Sequence, residues 1–379
     1  MELALYCPNC GYYEKEEDII GRRGDYYTSV SVGTLFGELL AFQFAEWLEE
    51  LQEASAGCSG PSPVGKTGEG EATRIVEAGA HDGALARDIL VWLRQRRPSL
   101  CHRLEYWIIE PSERRRNRQR QTLGEFGHQV HWVTGLAALG AGAASESPLA
   151  RSAGWRGVLF CNELLDAMPV HRLGWDAEAR AWFEWGVTLQ DGRLVWTRIT
   201  SGGTGEGDRH LSAPLAASHS QMPIESGMLE LLPDGFTTEV SPAAQDWWQE
   251  AAQALGWGKL LAVDYGLTAE EFSVPERKEG TLRGYHRHRS TRDVLACPGE
   301  QDITAHVNFT AIRAAGEAVG MRTEAFLTQA QFLTAIAART CADEDSLGKW
   351  TPERTRQFQT LIHPEHLGRS FRVLVQSRP

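Results

Sequence analysis

The chain has 379 residues, with 50 Asp and Glu against 38 Lys and Arg, for a formal charge of -12. That balance argues against nonspecific affinity for nucleic acid or an anionic membrane surface, and no apolar stretch reaches the length of a membrane span. Hydrophobic residues at 42% and charged residues at 23% are ordinary for a globular protein of one large domain or two smaller ones. The seven cysteines follow no regular framework. The start, Met1-Glu-Leu-Ala-Leu-Tyr6, has no basic region and no apolar signal core, so reduced thiols in a bacterial cytoplasm are the expectation.

Residues 1–36 read as irregular, with a dense patch at Gly24-Asp-Tyr-Tyr-Thr-Ser29. A helix is expected over 32–53, then an exposed Gly/Ser/Pro-rich loop over 54–71. A strand at 73–78 leads into a helix at 83–95, a strand at 104–109 into a charged helix at 112–122. The run Arg114-Arg-Arg-Asn-Arg-Gln-Arg120 reads as a solvated helix face. After a small-residue loop at 140–154, 157–161 is a buried strand. Residues 172–200 alternate and suggest an antiparallel excursion turning at Asp191-Gly192, with a flexible tip over 201–207. A helix at 241–256, a strand at 260–266 and a long irregular segment at 268–305 come next. Helix 309–319, strand 322–327, helix 329–339 and strand 371–376 close the chain. Alternating strands and helices imply an α/β fold with a doubly wound, mostly parallel sheet. The expected organisation is an N-terminal cap and helix (1–53) and a core (72–171 and 236–379) with a loop insertion at 268–308. An antiparallel insertion covers 172–235.

The most informative string is Glu77-Ala-Gly-Ala-His-Asp-Gly83, between a strand and a helix. Gly79 can take backbone angles closed to other residues, and Gly83 permits close approach. N–H groups at the helix start favour an electronegative ligand group. A dinucleotide site normally carries a middle glycine where this chain has His81, and Glu77 would repel a pyrophosphate. An acid there suits the cationic methionine end of S-adenosylmethionine. The turn alone leaves a methyltransferase, a nucleotide enzyme and a structural bend open. Glu110, after the next strand, is placed to bind the two hydroxyls of a ribose.

Ligands of such sheets bind beyond the carboxyl ends of the strands, where Glu77, Glu110, Asn162-Glu163 and Asp264 are expected. On a helical turn Glu163 and Asp166 would share a face and position a nucleophile, although first-turn acids also complement a helix dipole. In Asp302-Ile-Thr-Ala-His-Val-Asn308, Asp302 is a plausible N-cap, and His306 a general base or a satisfied structural histidine. Arg283-Gly-Tyr-His-Arg-His-Arg-Ser290 either touches a ligand carboxylate or forms a surface loop. Cys7-Pro-Asn-Cys10 has zinc-knuckle spacing, but a tetrahedral site needs two more ligands and no second such pair exists. No metal is expected.

Together these strings resemble the MidA family of class I S-adenosylmethionine-dependent methyltransferases. The resemblance runs in order through Gly24-Asp-Tyr-Tyr-Thr-Ser29, Phe36-Gly-Glu-Leu39, Glu77-Ala-Gly-Ala-His-Asp-Gly83 and Asn162-Glu-Leu-Leu-Asp-Ala-Met-Pro-Val-His171. It continues through Glu239-Val-Ser-Pro242, Asp264-Tyr-Gly266, Gly280-Thr-Leu-Arg-Gly-Tyr285, His288 and Asp302-Ile-Thr-Ala-His-Val-Asn-Phe309. The chain departs from the family pattern in three ways: His81 stands where a second glycine is usual, Asn308 where an acid is usual, and Cys7 and Cys10 where other residues are usual.

The resemblance implies a Rossmann-like, seven-stranded sheet with an added substrate-covering region, and S-adenosylmethionine as cofactor. Thr28, Ser29, Glu77, Gly79, Ala80, His81, Gly83, Glu110 and Asn162 would bind the cofactor; Glu163, Asp166, Asp264 and His306 would serve the acceptor. Mitochondrial members imply methylation of a protein arginine in a respiratory complex subunit. The rival expectations are a low-turnover binding protein or assembly factor of the same fold, and a small-molecule O- or N-methyltransferase.

Overall fold

The computed structural model describes residues 1–15, 28–57, 73–139, 155–199, 232–286, 289–341 and 344–378. Residues 24–27, most of the Gly/Ser/Pro-rich loop, the 140–154 loop, the 201–207 tip and His288 lie outside the described residues. In chain order the first strands are β1 (Thr73–Ala78), β2 (Leu104–Ile109), β3 (Val130–Val133), β4 (Trp155–Asn162) and β5 (His171–Asp176). Then come β6 (Ala181–Gln190), β7 (Arg193–Ile199), β8 (Thr237–Val240), β9 (Leu255–Leu267) and β10 (Arg283–His286). The last are β11 (Arg289–Thr291), β12 (Asp302–Thr304), β13 (Val307–Asn308), β14 (Arg322–Thr328) and β15 (Phe371–Arg378). The chain divides into two compact units.

The first, the sheet unit, comprises Tyr27–Leu164, Gln249–Asp264 and Gly316–Pro379. Its seven main strands among the described residues run in the order β14-β15-β9-β4-β1-β2-β3, and β13 pairs with the end of β9 off this path. The pairs β1–β2, β2–β3, β1–β4 and β4–β9 are parallel, and β14–β15 is antiparallel. From β1 the chain winds outward through β2 and β3, then returns to the other side of β1 with β4 and β9. The order therefore reverses between β1 and β4, the position where doubly wound sheets leave a crevice for a ligand. This is the Rossmann-like sheet implied by the motifs.

Apolar runs build these strands because both faces of a parallel sheet are covered: Ile75, Val76, Ile108, Val158, Leu159, Phe160, Leu260 and Leu261 are all fully buried. Two glycines let three strands close up. A Cβ on Gly157 would stand 1.9 Å from the Arg74 carbonyl oxygen, and one on Gly258 1.9 Å from that of Gly157. The helix Leu35–Gly57 belongs to this unit rather than to a separate cap, and Phe44 packs its ring 5.0 Å from Phe160 of β4. The helix Glu113–Thr122 is less solvated than its arginine run suggests. Gln119 is fully buried, and Arg115 and Arg116 are half-buried and bonded.

The second unit comprises Met1–Tyr26, Leu165–Trp248 and Tyr265–Ala315. It contains an antiparallel sheet β7-β6-β5-β8 with the expected hairpin at Asp191-Gly192, both residues at positive φ. β8 pairs with β5 here, instead of entering the core assigned to 236–379. The segment expected to be irregular holds a small antiparallel sheet, β11-β10-β12. Asp302 lies in β12 and accepts a 2.6 Å bond from the Tyr13 hydroxyl, so it caps no helix. Asn308 takes the capping role instead: its Oδ1 accepts from the Ala311 N–H at 3.2 Å, at the start of the helix Phe309–Ala318. Residues 1–15 are ordered by Leu5 and Tyr12, which are buried in one cluster with Ala167, Leu282 and Ile303.

Candidate active site

The parallel register aligns three strand ends in the sheet unit. Ala78 is opposite both Ile109 and Cys161. Gly79, Glu110 and Asn162 each follow a member of that matched set, so they stand at one level beside the β1–β4 switch point. Gly79 has φ 79°, and a Cβ there would come 3.1 Å from Leu164. The chain turns sharply and passes under the residues that follow β4.

Glu77 is buried in β1 and accepts a 2.7 Å hydrogen bond from the Tyr106 hydroxyl of β2. Burial pushes its carboxyl up to about 8, against the opposing effect of that bond. Tyr106 is a functional candidate that sequence reasoning passed over. Its signal was the register, since strand residues one pair apart on one face lie within side-chain reach.

Glu110 is also buried. Its Oε1 accepts from the Ser112 N–H and from Arg115 Nε, both at 2.9 Å. Its Oε2 accepts from Gln119 Nε2 at 3.2 Å, and the same amide nitrogen donates to the His81 carbonyl at 3.0 Å. One side chain thus ties Glu110 to the glycine turn. Gln119 and Arg115 were concealed in a run that looked like surface charge.

His81 has φ 45°, a left-handed conformation. The middle of this turn therefore does require the backbone angle that a second glycine would supply freely. Histidine is among the residues that tolerate this region best. Gly83, at φ 84°, begins the helix Ala84–Arg96, and its N–H closes the turn onto the Ala80 carbonyl at 2.7 Å.

On the other side of β1, Asn162 ends β4 and donates through Nδ2 to Glu163 Oε1 at 3.1 Å. Its Oδ1 is buried without a hydrogen-bond partner. Glu163 has φ 52°, and residues 163–170 form bends and a turn. They are not helical, so Glu163 and Asp166 do not share a helix face. A left-handed residue right after a strand cannot begin a right-handed helix. The Glu163 N–H donates to the Val263 carbonyl at 3.0 Å, and the Leu164 N–H to Asp264 Oδ2 at 3.1 Å. Ser29 joins this group through its backbone: its N–H donates to Glu163 Oε1 at 3.4 Å, while its hydroxyl donates to Gln329 at 3.0 Å. Thr28 and Ser31 bond each other, and Thr28 is buried.

Asp166 and His306 belong to the second unit. Asp166 is buried, and its carbonyl accepts from the Ala305 N–H at 2.9 Å. His306 donates its backbone N–H to Thr281 Oγ1 at 3.1 Å, and Thr281 donates to the buried Glu239 carboxyl. His306 Nδ1 is buried without a partner. Burial, with Arg277 and Arg283 nearby, lowers the imidazole to about 4, below the useful range of a general base at neutral pH.

The sheet-unit residues suit a sulfonium nucleoside of the adenosine type. The edge of this sheet carries the largely neutral buried carboxyl of Glu77, the unpartnered amide oxygen of Asn162 and, after β2, the buried carboxyl of Glu110.

A family model described as "Putative S-adenosyl-L-methionine-dependent methyltransferase" matches residues 39–327. Among solved structures, the chain is similar to a COG1565 superfamily member from Burkholderia thailandensis, described as a "likely methyl transferase" and bound to S-adenosyl-homocysteine. The identity is 30% and the TM-score 0.75, covering 100% of this chain and 86% of that one. It is 27% identical over 331 residues to the Drosophila melanogaster protein arginine methyltransferase NDUFAF7 homolog, mitochondrial, covering 84% of this chain and 66% of the relative. The Mus musculus protein arginine methyltransferase NDUFAF7, mitochondrial, is 27% identical over 325 residues, covering 83% and 64%. The chain thus spans just under two thirds of the length of these curated relatives. It belongs to the matched family of S-adenosylmethionine-dependent methyltransferases, the MidA family whose motifs it carries in order.

Proposed function

We propose that this protein transfers a methyl group from S-adenosylmethionine to a nitrogen of a protein arginine side chain. The observation that carries the reading is the alignment of Gly79, Glu110 and Asn162 beside Glu77 at the switch point of the sheet. When bound, the cofactor supplies a methyl on a positively charged sulfur, which needs no metal for activation. Glu77 and Asn162 Oδ1 hold the ammonium of its methionine end, and Glu110 accepts from its ribose hydroxyls. Ala80, His81 and Gly83 line its path along the turn, with Thr28 and Ser29 alongside. Catalysis is then mostly positioning.

The arginine acceptor rests on two supports: the names of the curated relatives, and the carboxylates of Glu163, just after β4, and Asp264, within β9, each one residue past the paired Asn162 and Val263. Paired acids match the donor fork of a guanidinium. They hold it and take up the proton released as the new carbon–nitrogen bond forms. A respiratory complex subunit in the bacterial cytoplasm is the acceptor we infer from the family resemblance.

The test is to treat a host lysate with the protein and S-adenosylmethionine labelled in its methyl group. Label in protein arginine supports the reading. Label confined to small metabolites makes the protein a small-molecule methyltransferase, and cofactor binding without any label makes it a low-turnover binding protein.

A further inference from the structure

The family site leaves the Cys7-Pro-Asn-Cys10 turn of the second unit without a use. It lies between two anchors. Leu5 and Tyr12 are buried on either side of it, the Tyr6 hydroxyl donates to the Ala167 carbonyl at 3.1 Å, and the Tyr13 hydroxyl to Asp302. Gly11 closes the turn with no space for a side chain: a Cβ would stand 2.5 Å from the Cys7 nitrogen. The Cys10 and Gly11 N–H groups both donate to the Cys7 carbonyl, at 3.3 and 2.8 Å. The backbone thus holds the two sulfurs together, and the Cys10 thiol donates to Cys7 Sγ at 3.2 Å. Cys7 is half-buried and Cys10 exposed.

We propose that Cys7 and Cys10 form a reactive dithiol that is oxidised by thiol–disulfide exchange with a small external disulfide of the glutathione class. The Cys7 thiolate attacks one sulfur of that disulfide, forming a mixed disulfide and releasing the other half as a thiolate. Cys10 gives its proton to that thiolate and attacks the Cys7 sulfur, expelling the second half. The dithiol loses two electrons and two protons, and the external disulfide becomes two thiols.

The roles are asymmetric. The N–H of Asn9, then the Cys10 thiol and N–H, lower the Cys7 thiol, while donating to Cys7 raises Cys10. Cys7 is therefore the attacking sulfur and Cys10 the resolving one. A metal knuckle is the weaker alternative, because tetrahedral zinc takes four ligands and, among the described residues, no group of three or more His, Cys, Asp or Glu stands together.

The experiment uses the reduced full chain, oxidised glutathione at neutral pH, and mass spectrometry of the tryptic peptide Met1–Lys15, which contains both cysteines. Conversion of that peptide to a form lighter by two hydrogens is expected, while the exposed Cys297 is left behind. Before oxidation Cys7 should alkylate about fivefold faster than Cys297. In Cys10→Ser a glutathione adduct should accumulate on Cys7, and Cys7→Ser should suppress capture by Cys10. The proposal is overturned if the lighter peptide does not form, if the mixed disulfide persists in the unmodified chain, or if Cys297 reacts first. Tightly bound zinc that protects both thiols also overturns it.

Discussion

Tyr106 donates a 2.7 Å hydrogen bond to Glu77 from the neighbouring strand, and both side chains are buried. The bond favours the ionised carboxylate, yet burial outweighs it and leaves Glu77 near 8, so the acid is largely neutral at pH 7. An ammonium arriving beside it would restore the charge. Cofactor binding should therefore release a proton below pH 8 and strengthen as pH rises, by up to about tenfold per unit. Calorimetry in buffers of different ionisation enthalpy reads the proton directly. Glu77→Gln should abolish the release, and an unchanged release in that variant counts against the assignment.

The same group makes stability fall with pH. Its folded value lies above its ordinary 4.5, so the folded state holds a proton that the unfolded state has lost between about 4.5 and 8. Stability from this residue is full below that window and declines through it by up to about 1.4 kcal/mol per unit. His306 acts oppositely. Its folded value of about 4 lies below the ordinary 6.5, so its contribution is full above 6.5 and is lost as pH falls toward 4. Denaturant titrations should show His306→Gln flattening the acid side of the profile and Glu77→Gln the alkaline side.

Gln119 joins Glu110 to the His81 carbonyl and also accepts from Trp132 Nε1 at 3.0 Å. Gln119→Ala strips buried partners from three groups and should cost about 2–4 kcal/mol. It should also weaken cofactor binding by releasing the turn. His81→Gly relieves a left-handed residue and should leave stability within about 1 kcal/mol while keeping cofactor affinity. A loss of affinity in that variant would show that the imidazole, and not the backbone angle, serves the site.

Gly157 and Gly258 are opposite each other in β4 and β9. A Cβ on either overlaps a carbonyl oxygen of the next strand. Gly157→Ala should destabilise the sheet unit by at least about 3 kcal/mol, readable as a lower melting temperature. A melting point within two degrees or so of the parent would contradict the packing described.

The sheet was legible because its strands are continuous apolar runs ending in acids, with glycine turns between: Thr73–Ala78 and Leu104–Ile109 have the bounds that the pattern gave. Val130–Val133 was missed because four residues at a sheet edge carry too little periodicity. The helix Pro352–Ile362 was missed although Thr351 and Pro352 spell a capped start, with Thr351 accepting from the Arg354 N–H. The strand-end positions of Glu77, Glu110 and Asn162 in the candidate site were legible because the apolar runs stop there. It was hidden where a partner comes from another element, as with Tyr106, Arg115 and Gln119. The expected helix from Glu163 to Asp166 failed because three-residue spacing cannot reveal a positive φ.

Titration of S-adenosylmethionine into the protein and into Glu110→Gln by calorimetry tests the central claim most directly. The account predicts micromolar binding to the parent chain and at least about tenfold weaker binding to the variant, since a carboxylate bond to a hydroxyl is worth about 1.5–3 kcal/mol. Equal affinity in the two proteins, or no binding to the parent, would contradict it.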